Sequence, residues 1–142
     1  MADAIKIIDD SKSEFNIIQG TRTLDLINRL TKLDSEEKET LLYESESILK
    51  NCINPVETIG STTGIAIGYV QSGKTMSFTT LTALAIDNGF RIIIYFAGIK
   101  VNLLEQTTNR LKKDLLTDSD NSRFYKVYQS PTIKDNVHLK IK

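Results

Sequence analysis

Apolar residues change their rhythm near residue 58. Before it they recur at helical spacing. In Thr23 to Leu30 the apolar positions are 24, 26, 27 and 30, which predicts one amphipathic helix. Asp34-Ser35-Glu36-Glu37 has the form of a capping box, and Leu41, Leu42, Ser45, Ile48, Leu49 and Cys52 follow down one face of a second helix. That helix is expected to stop before Pro55, because the residue preceding a proline is pushed out of the helical region. Residues 1 to 20 carry apolar clusters at Ile5 to Ile8 and Phe15 to Ile18 without a clean period, which suggests a weak helix or a docking arm.

From Thr58 the chain turns to Gly, Ser and Thr, and then to the short apolar run Gly64 to Val70, the pattern of a buried strand in a parallel sheet. Lys74 to Asn88 is apolar almost all round, with Met76, Phe78, Leu81, Leu84, Ala85 and Ile86, and Asn88-Gly89 is a good helix stop. Arg91 to Ala97 predicts a second buried strand. Asn102, with Glu105 three residues on, predicts the capped start of a helix whose stripe is Leu104, Leu111 and Leu115. Lys112 and Lys113 fall near its end, where the helix dipole favours cations. Phe124 to Tyr128 alternates like a third strand, and Tyr125 and Tyr128 are the aromatic residues there that could stack on bases.

Between the first strand and the helix after it lies Gly68-Tyr69-Val70-Gln71-Ser72-Gly73-Lys74-Thr75, a complete Gly-x-x-x-x-Gly-Lys-Thr phosphate loop. Each residue type has its own reason. Glycines let successive N–H groups converge on phosphate oxygens, the lysine reaches the β and γ oxygens, and the threonine hydroxyl suits Mg²⁺. The expected cofactors are therefore ATP and Mg²⁺. Gly68, Val70, Gln71, Ser72, Gly73, Lys74, Thr75 and Met76 are the candidate nucleotide contacts, with Lys74 also the candidate catalytic cation and Thr75 the candidate metal ligand. Strand, loop, helix, strand, helix is the order of a right-handed crossover unit. The fold class expected is α/β: a partial, RecA-like parallel sheet of a P-loop nucleotide hydrolase spanning 58–142, preceded by a helical segment over 1–57.

Val70 to Thr75 together with Ala97-Gly98-Ile99-Lys100-Val101-Asn102-Leu103-Leu104-Glu105-Gln106-Thr107 and Arg110-Leu111 resembles the helicase-like ATPase part of the bacterial Z-one-domain putative endonucleases, which look like superfamily-two motors of restriction and defence settings. The likeness covers about residues 63 to 116. It implies a DNA-acting ATPase with Lys100, Asn102 and Gln106 touching the nucleic acid backbone. On the residues alone, Asn102 is equally well a helix cap and the other two solvated. The family's acidic second motif and nuclease region have no counterpart in the sequence, so helicase and nuclease activities do not carry over.

Such a motor needs a second acid at the end of a later buried strand. Asp87 and Asp114 fall on helices, Asp118 and Asp120 in a polar turn, and Asp135 follows no apolar strand; Arg110 and Arg123 are the remaining candidates for an arginine finger. The expectation is the N-terminal part of a longer ATPase that binds nucleotide better than it turns it over, with the missing part or other defence-system subunits as partners. The alternative is a nucleotide-gated or inert module docking on a partner protein through its acidic helices. A small-molecule kinase fits less well, for want of an arginine-bearing lid.

Composition narrows this only a little. At 142 residues, 40% apolar and 25% charged, the chain has ordinary globular content. Net charge is zero, but residues 1–60 hold 7 Lys+Arg against 12 Asp+Glu, and residues 61–142 hold 11 against 6. The basic half carries the phosphate loop, a surplus suited to nucleotide and too small to argue nucleic acid by itself. One cysteine, Cys52, and one histidine, His138, give no basis for a zinc cluster or a disulfide framework. Cys52 reads as a small core residue. No signal-peptide order and no apolar run of spanning length is present, from which a cytoplasmic protein is expected.

Overall fold

The computed structural model describes residues 5–7, 16–55, 60–68, 74–96, 101–115 and 126–130. Six elements lie among them: β1 (Ile5–Ile7), α1 (Thr21–Arg29), α2 (Ser35–Lys50), β2 (Ala66–Gly68), α3 (Lys74–Asp87) and α4 (Val101–Asp114). The chain divides into two units, Met1–Ile94 and Tyr95–Lys142. No helix among the described residues is long and apolar enough to cross a membrane.

The parallel sheet expected over 58–142 is not found among the described residues. Helices dominate the described residues, and the two strands, three residues each, pair antiparallel with Ile5 opposite Gly68, Lys6 opposite Ile67 and Ile7 opposite Ala66. So the N-terminal apolar cluster, expected as a weak helix or arm, contributes a strand, which occupies one edge of β2. Residues 91–96 carry no strand assignment. Their alternate apolar side chains face solvent, with Ile94 70% and Phe96 95% exposed, and Ile65 in the run leading to β2 is 65% exposed. A strand covered on both faces by helices would bury these residues. The third expected strand fares alike: Lys126 to Tyr128 are irregular, and Phe124 and Tyr125 lie outside the described residues.

The helices match their patterns more closely. Asp34 closes α2 as a full capping box: its Oδ1 accepts from the Glu37 N–H at 2.8 Å, and its own N–H donates to Glu37 Oε2 at 3.0 Å. Such a box satisfies two otherwise orphaned donors. α2 ends at Lys50, before Pro55 as expected, and buries Leu41, Ser45 and Leu49. The Ser45 hydroxyl donates to the Leu41 carbonyl at 2.8 Å, which lets a polar side chain sit in the buried face at little cost. α3 stops at Asp87, followed by Gly89 at φ +93°, a left-handed turn that glycine enters without Cβ strain.

α1 and α2 both pack on α3, making it the centre of the first unit. Leu49, Leu84 and Ala85 form the buried cluster, with Ile17, Cys52, Leu81, Phe90 and Ile93 against it. Burial of a side chain such as Leu84 is worth about 1.5–3 kcal/mol.

The polar link between α3 and α1 is unusual. The N-cap of α1 is Gly20, which has no side chain to cap the helix. Asp87, at the far end of α3 and 3% exposed, does so instead. Its Oδ2 accepts from the Thr23 N–H and the Thr23 hydroxyl, both at 2.8 Å; its Oδ1 accepts from the Arg22 N–H at 3.4 Å and pairs with Arg22 Nη1 at 3.2 Å. These are the second and third N–H groups of α1, the ones an N-cap side chain ordinarily serves. Gly20 is what makes room: a Cβ there would lie 2.6 Å from Asp87 Cγ. Beside this latch, the Asn88 side chain grips Ile18, two residues before Gly20, Oδ1 accepting from Ile18 N–H and Nδ2 donating to Ile18 O, each at 2.8 Å.

Asp87→Ala is expected to lower unfolding free energy by about 2–4 kcal/mol, since it strands donors that met a carboxylate. Gly20→Ala should cost about 1–3 kcal/mol by displacing that carboxylate, and the double variant should fall short of the sum by about 1 kcal/mol or more. Urea titration of the four proteins measures the cycle, and strict additivity would refute the contact. Thr80 is fully buried with its hydroxyl unpartnered among the described residues. Thr80→Val should therefore stabilise, by about 1 kcal/mol, in the same titration.

Candidate functional site

β2 ends at Gly68 and α3 begins at Lys74, so the two ends of the Gly-x-x-x-x-Gly-Lys-Thr motif sit on a strand terminus and a helix start. Local sequence explains this. Gly64, Gly68 and Gly73 punctuate the chain, while Lys74 to Asp87 supplies an uninterrupted helical run. Tyr69, Val70, Gln71, Ser72 and Gly73 lie outside the described residues. Lys74 and Thr75 occupy the first turn of α3, and Met76 follows, half-buried.

The first turn of any helix presents N–H groups with no partner inside it, at the positive end of the dipole. No acidic residue occupies the first turn of α3. A phosphate is the kind of group such a turn takes. In sequence, Gly68 is followed by a lysine, Lys74, and a threonine, Thr75, at the start of α3. Among the described residues no cluster of three His, Cys, Asp or Glu side chains could hold a metal by itself.

Asn102 and Gln106 belong to the second unit, four residues apart on α4 and both exposed. They share a face of that helix by spacing alone. Lys100 lies outside the described residues. The expected cap does not form as drawn: α4 starts at Val101, which puts Asn102 inside the helix rather than at its N-cap. Lys112 and Lys113 do fall in the last turn, as the dipole favours.

The acids considered as a second motif are engaged elsewhere or lie outside the described residues. Asp87 is the latch on α1, and Asp114 pairs with Arg110 at 3.6 Å, an i,i+4 contact on α4. That pair also occupies one of the two candidate finger arginines. Asp118, Asp120, Asp135 and Arg123 are outside the described residues.

Sequence reasoning missed the role of Asp87. A signal was present: a carboxylate in the last turn of a helix opposes the dipole, and α3 has no basic residue in its own last turn to offset it. An acid placed there calls for a partner from another element, which Arg22 and the start of α1 supply.

Cys52, the one thiol, packs half-buried against the Leu49, Leu84 and Ala85 cluster, 3.6 Å from the Ile48 carbonyl. Burial pushes its ionisation above the ordinary thiol range. It is a core residue, not a poised nucleophile. Because the folded state resists ionisation that the unfolded state permits, stability should hold below the ordinary thiol range and fall as pH rises through it. Urea midpoints across mildly alkaline pH, compared with Cys52→Ala, measure this; the variant should lose that part of the slope. A disulfide-exchange reagent should label Cys52 more slowly in the native chain than in the unfolded one.

No family model, curated protein or solved structure matches the chain, so the resemblance to the Z-one-domain putative endonucleases rests on its motif residues alone.

Proposed function

We propose that the segment Gly68 to Thr75 binds the phosphates of a magnesium–nucleotide, ATP, in the cytoplasm. The observation that carries this is the placement of the motif: Gly68 closes β2, and Lys74 opens α3. A phosphate loop requires that flanking order, because the strand delivers the glycines and the helix start supplies aligned N–H groups. Lys74 would neutralise the β and γ phosphates, and Thr75 would ligate Mg²⁺. The role in this reading is binding rather than rapid turnover; it is supported, among the described acids considered for a second motif, by the engagement of Asp87 with Thr23 and Arg22 and of Asp114 with Arg110. A DNA-acting, helicase-like ATPase is the wider setting that the motif resemblance suggests, with Lys100, Asn102 and Gln106 as its backbone contacts.

A second reading, a module that docks on a partner protein, is favoured by the solvent exposure of Ile65, Ile67, Ile92 and Ile94 in the first unit.

Calorimetric titration with ATP and ADP, with and without Mg²⁺, separates the two. Saturable binding that Lys74→Ala weakens by about tenfold to a hundredfold, the loss of one charge-assisted contact, together with slow phosphate release, is the expected result. Absence of binding by the unsubstituted chain would discard the phosphate-loop reading and leave the docking module. Duplex or single-stranded DNA that fails to alter phosphate release would confine the function to nucleotide alone.

A further inference from the structure

Asn88-Gly89 is the only Asn-Gly pair in the chain. It is also the chemically weakest kind of asparagine linkage, because a following glycine puts no side chain in the way of attack by its own amide nitrogen. In this fold the pair sits at the end of α3 under several restraints. Asn88 Oδ1 accepts from Ile18 N–H at 2.8 Å, and Nδ2 donates to Ile18 O and to Leu84 O, both at 2.8 Å. The Gly89 N–H, which would have to lose its proton, is held by the Ile86 carbonyl at 3.1 Å, and the next amide, Phe90 N–H, by the Ala85 carbonyl at 3.0 Å. The reacting nitrogen and the carbon it attacks are each fixed by hydrogen bonds that must break first.

We propose that Asn88 is a conformationally guarded deamidation site, whose conversion unlatches the Ile18 to Thr23 segment from α3. Hydroxide removes the Gly89 amide proton, and that nitrogen attacks Asn88 Cγ. A C–N bond forms, the Cγ–Nδ2 bond breaks, and ammonia leaves with a proton from water. A second water opens the resulting five-membered imide at either carbonyl, giving aspartate or isoaspartate; nothing is oxidised or reduced.

The product is ill-suited to its place. A carboxylate at 88 has no hydrogen to offer the Ile18 and Leu84 carbonyls, which the amide now satisfies. It also adds negative charge beside the buried Asp87 carboxylate and at the negative end of the α3 dipole. Opening at the other carbonyl lengthens the main chain by a methylene inside the turn that Gly89 and Phe90 close. The consequence falls on the latch, since Ile18 leads directly through Gly20 into the N–H groups that Asp87 caps.

The tryptic peptide Thr75 to Arg91 contains Asn88 as its sole asparagine, so mass spectrometry reads conversion at this site alone. The full chain is aged at mildly alkaline pH, native and in guanidinium, and conversion is followed in time. Native Asn88 is expected to convert at least about tenfold more slowly, the factor imposed by ~1.4 kcal/mol of opening free energy; equal rates would overturn the guard. Asn88→Asp, which mimics one product, is expected to speed tryptic cleavage after Arg22 about tenfold by the same conversion. Cleavage at the unsubstituted rate would overturn the unlatching. The rate comparison needs no variant, so it stands even where Asn88→Asp folds poorly.

Discussion

The first unit depends on one carboxylate. Asp87 ends the central helix and caps a different helix, accepting from the Thr23 N–H, the Thr23 hydroxyl and the Arg22 N–H while pairing with the Arg22 guanidinium. Two opposing facts make this work. A negative charge at the C-terminal end of α3 is unfavourable for α3, and an uncapped start is unfavourable for α1. Joining them answers both, because the positive end of one dipole meets the acid that the negative end of the other repels. Gly20 is part of the same device, since any side chain there would occupy the space of the Asp87 carboxyl.

α3 consequently does three jobs along its length. Its first turn holds Lys74 and Thr75, the end of the phosphate-loop motif. Its middle, through Leu81, Leu84 and Ala85, fills the core shared with α2. Its last residues, with Asn88 and Gly89, fix the approach of the chain into α1. A single helix packed by two others is a stiff connection between the proposed nucleotide site and the N-terminal segment, because interiors at protein density do not deform gradually.

The helices were legible because their signals are local. Asp34 and Glu37 lie three residues apart, and the Leu41, Ser45, Leu49 stripe repeats every four, so each can be recognised without knowing what packs against it. The stop at Asn88-Gly89 and the cations at Lys112 and Lys113 are of the same kind. The strand at Ala66–Gly68 falls inside the expected run, but the sheet was not legible, for the opposite reason. Ile92 to Ile94 and Ile65 to Ile67 have the composition of buried parallel strands, but a strand exists only with a neighbour, and β2 found Ile5–Ile7 running the other way. Apolar content stated what those segments could do in a sheet and not whether a sheet was present.

By itself the sequence determined the four helices of the described residues in near-final position, the capping box of α2, the lone thiol as a core residue and the Gly-Lys-Thr motif between a strand end and a helix start. Only the tertiary structure decided that β2 pairs antiparallel, that Ile94 faces solvent, that Asn102 lies inside α4, and that Asp87 is a cap rather than a surface or metal-binding acid. The physical division is one of distance along the chain. Caps and helical stripes are set by residues three or four apart, whereas Asp87 and Thr23 are separated by 64 positions, and no pattern within either segment names the other.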